Sequence, residues 1–186
     1  MTSDKTLAQR DHDDAPVTTS KSADPDRTLL AEAITINRPA QELYDFWRNP
    51  QNLVGIMENI EAIEVLSDTR SRWTVKAPAD GHVSWESVIS DDVPGRSITW
   101  QSAPDADVAN SGRIEFHEVD GRGTVVRATI AYEPPGGALG QIIAKLFQRE
   151  PRIQTRRDLR RFKQLMETGE VATAARTKKQ LEEEKA

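Results

Sequence analysis

Three histidines, one tyrosine near the end of the strand-rich region and a set of scattered carboxylates are the residues of this chain that could move a proton. His12 lies in a polar N-terminal segment, His82 opens a strand at a turn, and His117 alternates against Phe116. All three are therefore expected at the surface. No histidine and carboxylate set has metal-ligand spacing, so neither a metal nor another cofactor is expected. The chain has no cysteine, which excludes disulfides, thiolate catalysis, zinc fingers and iron–sulfur clusters. Gly121-Arg-Gly123 and Gly136-Gly137 read as turns, and no phosphate-cradling loop is present. Glu86, Arg113, Glu115 and Arg127 fall on the polar side of their strands, which leaves Tyr132 as the titratable group expected inside. Acid–base catalysis needs such a group within hydrogen-bond reach of the reacting atom. Tyr132 is the catalytic candidate if this is an enzyme; the scarcity of others favours binding over chemistry.

The remaining inward polar groups are Ser87, Ser102 and the tryptophan N–H groups, and they lead back to the strands that carry them. In Arg72–Ala77 the apolar positions are Trp73, Val75 and Ala77. Trp85 shares a face with Val83, Ser87 and Ile89, and Trp100 with Ile98 and Ser102. Two-residue alternation predicts an antiparallel sheet with one wet face. Large indoles beside small residues predict a concave dry face covered by another element. The expected ligand-contacting set is Trp73, Val75, Trp85, Ser87, Ile89, Trp100, Ser102, Ile114, Phe116, Ile130, Tyr132 and Phe162. The two serines either orient a ligand carbonyl or hydroxyl, or simply make room for the indoles.

The elements around these strands follow from local signals. Residues 1–27 read as a disordered tail, residues 28–168 as one domain, and residues 169–186 as a charged tail. A first strand over Leu30–Asn37 places Ile34 and Ile36 together. Pro39 suits the first turn of a helix carrying Leu43, Phe46 and Trp47, and a second short helix follows near Gln51–Met57. Pro94-Gly95 and Asp120-Gly121 mark tight turns. The last strand spans Thr124–Glu133, with Val126, Ala128, Ile130 and Tyr132 on one side. After Pro134-Pro135-Gly136-Gly137, Leu139, Ile142, Ile143 and Leu146 define one helical stripe, whereas Leu159, Phe162 and Met166 lie on the opposite side. Pro151 between them predicts a break, with a short helix to about Arg149 and a second over Pro151–Glu167.

That last helix is basic. Arg149, Arg152, Arg156, Arg160 and Lys163 recur at three- and four-residue steps beside the apolar stripe. The stripe is read as a solvated face, with contact to an anionic membrane or ribosomal RNA as the sharper alternative. Arg156, bordering the apolar stripe, could instead meet an anionic ligand group. A net charge of −5 in 186 residues argues against DNA binding. No apolar run reaches membrane-spanning length and no signal peptide is visible, so a cytoplasmic location is expected.

One helix about 10 Å wide covers seven strands only if the sheet curls around it. The expected architecture is therefore α+β of the helix-grip type: a curled antiparallel sheet, two short helices after strand 1, and a long C-terminal helix. Ile34-Thr-Ile-Asn-Arg-Pro-Ala40 into Tyr44-Asp-Phe-Trp47, Asp92-Val-Pro-Gly-Arg-Ser-Ile-Thr-Trp100, Tyr132-Glu-Pro-Pro-Gly-Gly137 and Asp158-Leu-Arg-Arg-Phe-Lys163 resemble the START/Bet v 1-like (SRPBCC) superfamily. The resemblance is to its polyketide cyclase/dehydrase and coenzyme Q-binding branch, over about residues 28–168. It implies an apolar ligand held between sheet and last helix. The leading expectation is a soluble, non-enzymatic binder, either carrier or sequestering protein, of an aromatic or isoprenoid-like ligand. A cyclase, aromatase or dehydratase and an interaction protein working through the basic helix are the alternatives.

Overall fold

Seven antiparallel strands form a single sheet in the order β1-β7-β6-β5-β4-β3-β2. The structure is a computed structural model that describes residues 28–77, 81–106, 108–133 and 151–171, with residues 28–30, 77, 132–133 and 151–153 described in their backbone only. The expected N-terminal tail, the C-terminal tail from residue 172, the Pro-Pro-Gly-Gly turn and the short helix to Arg149 lie outside the described residues. The strands are β1 (Thr28–Ile36), β2 (Ile60–Val65), β3 (Arg70–Ala77), β4 (Gly81–Val93), β5 (Ser97–Ser102), β6 (Ala109–Val119) and β7 (Gly123–Glu133). Helix α1 (Ala40–Arg48) and a 3-10 helix (Pro50–Gly55) follow β1, and α2 (Pro151–Thr168) closes the domain. The sheet curls into a half-barrel around α2, the helix-grip arrangement.

Chain order explains the topology. Consecutive strands β2 to β7 pair as a meander, and β1 returns to pair with β7 from Thr28 opposite Tyr132 to Ile36 opposite Thr124. Both expected tight turns are present. Gly95 (φ 70°) and Gly121 (φ 71°) take the left-handed conformation that a side chain resists, and Arg96 N and Arg122 N donate back to Val93 O and Val119 O.

The core sits at one end of the concave face. Ile34, Ile36, Val126, Ala128, Ile114, Phe116 and Ile98 pack beneath Leu43, Tyr44 and Trp47 of α1 and Leu159 and Phe162 of α2. Phe162 is fully buried, with ring centroids 5.2 Å from those of both Phe46 and Trp47. Helix α2 is tied down along its length. Asn37 N donates to Glu167 Oε1 (2.7 Å), Arg38 donates to Glu167 O (3.1 Å), and Arg161 pairs with Glu58. On the convex face, Glu64, Arg72, Glu86 and Arg70 form an ion-pair ladder across β2, β3 and β4. There Glu86 is held below the usual carboxylate range by its hydrogen bond from Arg72.

Candidate functional site

The concave face away from α1 is built from rows of side chains that the register sets side by side. Trp73 stands opposite Trp85, and their rings are near-parallel with centroids 6.4 Å apart. Ile63 of β2 continues that row on the far side of Trp73. A second row runs Ile89, Trp100, Gly112 and Ile130 across β4 to β7. Trp73, Trp85, Ile89, Trp100 and Ile130 are all half-buried, whereas the core under α1 is closed. The sheet therefore has a packed end and an open, indole-lined shelf.

Small residues make the shelf possible. Trp100 lies over Gly112, where a built Cβ would fall inside contact with the indole's six-membered ring. Ser71 opposes Ser87, and Ser87 opposes Ser102. Two of these hydroxyls are engaged locally. Trp73 Nε1 donates to Ser71 Oγ (2.9 Å); Ser102 Oγ donates to Asn110 O (3.2 Å) and accepts from Asn110 N (3.1 Å). Ser102 thus stitches β5 to β6, while Ser87 is buried between the indole rows.

Of the expected ligand-contacting residues, Val75, Ser87, Ile114, Phe116 and Phe162 are buried. The last three belong to the packed end. Tyr132 stands opposite Asn110 and Thr28 by register, and its side chain lies outside the described residues. His82 and His117 are exposed, and His82 Nδ1 lies 2.6 Å from Glu61 Oε2 on the rim.

One expectation needs correction: titratable residues other than Tyr132 face inward. Glu32 is 3% exposed and shares its side of β1 with Ile34 and Ile36. Its parity with those isoleucines was the signal. Arg156 reaches it from α2, Nε to Oε2 3.5 Å, so the arginine expected to meet an anionic ligand or surface faces a carboxylate of its own chain. Asp92 also turns inward, through a bulge. The register shifts between Ile89 and Asp91, so that Ile89 pairs with Trp100 and Asp92 with Ile98. Simple alternation from Ile89 would have put Asp92 outside. Asp92 accepts from Tyr44 Oη (2.6 Å) and Arg48 Nε (2.7 Å), a network that ties α1 to the sheet. Burial, reinforced by the Asp92 carboxylate, pushes the Tyr44 phenol up to about 12. That places Tyr44 as a hydrogen-bond donor rather than a base.

The basic stripe of α2 is only partly available. Arg156 and Arg161 are in ion pairs, Lys163 is half-buried, and Arg157 and Arg160 are exposed. An open cleft of about 650 Å³ lies elsewhere, lined by Asn37, Arg38, Glu42, Glu118 and Asp120 among others. Glu118 Oε1 there caps the Ala40 N–H at 2.9 Å. Among the described residues, no three His, Asp or Glu side chains are grouped to hold a metal.

Residues 36–160 match the family described as polyketide cyclase / dehydrase and lipid transport. The chain belongs to that family. The protein DR_A0006 of Deinococcus radiodurans is 41% identical, with a TM-score of 0.63, over 77% of this chain and all of that one. The Zhui aromatase/cyclase of a Streptomyces species shares the fold at 15% identity, with a TM-score of 0.60 over 78% of this chain and 99% of its own. An uncharacterised 17.2 kDa protein of Streptomyces lincolnensis is 25% identical over 144 residues, 74% of this chain and 89% of that protein. The resemblance noted in the motifs is thus a family membership. No described helix is long and apolar enough to cross a membrane.

Proposed function

We propose that this member of the polyketide cyclase/dehydrase family binds a small hydrophobic ligand, aromatic or isoprenoid-like, as a carrier or sequestering protein. The observation that carries the reading is the half-buried shelf of Trp73, Trp85 and Trp100 on the concave face of a domain whose other end is packed closed. Flat indole faces suit rings and unsaturated chains, and aromatic contacts add about 0.5–1.5 kcal/mol beyond area burial. The described inward acids and phenol are engaged by partners, Glu32 with Arg156 and Asp92 with Tyr44 and Arg48, which supports binding over turnover.

The test is native mass spectrometry of the freshly purified chain together with fluorescence titration by naphthalene-type probes. Retention of an apolar small molecule, or quenching that Trp85→Ala weakens, supports the reading; neither being seen refutes it. A cyclase or aromatase reading is favoured by one observation, the fold shared with Zhui aromatase/cyclase. On that reading Tyr132 is the proton donor, and Tyr132→Phe lowers turnover of a polyketide-like substrate by at least ~100-fold with little change in binding.

A further inference from the structure

We infer that Ser87 is the specificity-determining residue of the shelf: its hydroxyl donates to a neutral carbonyl carried in the middle of a flat apolar ligand rather than at its end. The inference rests on the binding reading above and specifies where along the ligand its polar atom lies.

Register puts Ser87 at the centre of the shelf. On β4 it stands between Trp85 and Ile89, and across the sheet it faces Ser71 on β3 and Ser102 on β5. Trp73 opposite Trp85 makes the row on one side, and Trp100 opposite Ile89 makes the row on the other. Two residues of strand span about 6.6 Å, so an indole-bearing row lies roughly that far from the serine in each direction. The surface around it is open. Trp85, Ile89, Ser71 and Ser102 are all half-buried, unlike the closed core under α1. The Trp100 ring lies over Gly112 on β6, away from β4, and so does not roof the serine. Ser87 is a low point among neighbours that keep exposed surface.

Hydrogen bonding singles Ser87 out of its row. Ser71 Oγ accepts from Trp73 Nε1, and Ser102 Oγ is held by the backbone of Asn110. The Ser87 hydroxyl has no hydrogen-bond partner among the described residues, although the residue is only 5% exposed. A hydroxyl taken from water without a replacement bond is unfavourable, and most buried polar atoms are paired. Alanine would leave the same room for the indoles without that cost, so spacing alone does not account for a serine here. A ligand oxygen does. Ser87 has a proton to donate, and a carbonyl has lone pairs to accept it. Its four neighbours on this face carry no charge, and an ion without a counter-charge would be costly there, so the accepting group is neutral. Apolar surface on both sides of Ser87 then calls for apolar ligand on both sides of the carbonyl.

Equilibrium dialysis of the full chain against 9-fluorenone, fluorene and 2-acetylfluorene tests this. The three share one ring system and carry a central carbonyl, none, or one at the end. The wild type should bind 9-fluorenone about 3- to 10-fold more tightly than fluorene, the range of one neutral hydrogen bond, and more tightly than 2-acetylfluorene. Ser87→Ala should bind fluorene as the wild type does and lose the preference for 9-fluorenone. Its thermal midpoint should equal or exceed that of the wild type, because the free protein loses no bond. A lowered midpoint would mean that protein groups already hold the hydroxyl, and it overturns the inference. So does a variant that keeps the preference, or a wild type that favours 2-acetylfluorene over 9-fluorenone. Fluorene bound as tightly as 9-fluorenone removes the inference and leaves the binding reading standing. If none of the three probes binds, the binding reading itself fails and the inference falls with it.

Discussion

The indole of Trp100 on β5 occupies the space above Gly112 on β6 that any other residue's Cβ would need. The two residues are direct cross-strand partners, so the small one decides where the large one lies. Because the ring leans toward β7, Trp100 becomes a wall across the concave face, and the row it belongs to stays open at Ile130.

Gly112→Ala tests this directly. The added methyl has no vacant space, and overpacking of this kind costs about 1–3 kcal/mol. Urea denaturation should show that loss, accompanied by a shift in tryptophan emission as the ring is displaced. An unchanged midpoint and spectrum would mean that Trp100 has another rotamer at no cost.

Tyr44→Phe removes the 2.6 Å bond to Asp92 while leaving Arg48 on the same carboxylate. The expected loss is about 0.5–1.5 kcal/mol near neutral pH. The wild type carries an alkaline signature as well. The Tyr44 pKa is raised from 10.0 to about 12, so its stabilising contribution is complete below about pH 10. That contribution is lost as pH rises through about 12, because the unfolded chain ionises first. Denaturation between pH 9 and 12 should show a steeper decline in wild type than in Tyr44→Phe.

Most of the architecture was legible from alternation and punctuation. The tryptophan strands, the Pro94-Gly95 turn and the proline-started α2 each rest on a local signal, and the curl followed from having one helix to cover seven strands. The site was less legible where local rules break. The bulge at Ser90 reverses the parity of β4, so Asp92 turns inward against a count made from Ile89. Gly112 reads as an ordinary strand glycine until its cross-strand partner is known. Glu32 could have been found, because it keeps the parity of Ile34 and Ile36. A charge on an apolar face is easily passed over when its partner, Arg156, lies 124 residues away on another element.

The exposed arginines of α2 give a prediction about surfaces. With Arg156 and Arg161 already in ion pairs, Arg157 and Arg160 remain exposed. Each cation near an anionic membrane is worth about 1 kcal/mol, and salt screens it. Co-sedimentation with phosphatidylserine vesicles at low salt should be negligible and equal for wild type and Arg157→Glu/Arg160→Glu. Salt-sensitive binding by the wild type alone would make α2 a membrane-contacting element.

Asp158 gives the clearest pH dependence near neutrality. It lies on α2 beside the Glu58 and Arg161 pair, accepts from Gln154 Nε2 at 2.9 Å, and is pushed by burial from 3.8 up to about 7. The neutral acid is thus the form the fold prefers, and its stabilising contribution is complete below about pH 4. It is lost as pH rises through about 7, since above that the folded state must hold a carboxylate where burial disfavours it. Asp158→Asn keeps the shape and stays neutral at every pH. The variant should match wild type near pH 4 and exceed it near pH 8 by on the order of 1 kcal/mol or more, since each tenfold change in proton affinity is worth about 1.4 kcal/mol. Thermal denaturation of both proteins from pH 4 to 8 measures the difference. A variant less stable than wild type at pH 8 would show that the Asp158 carboxylate is held by its hydrogen bonds more firmly than burial opposes it.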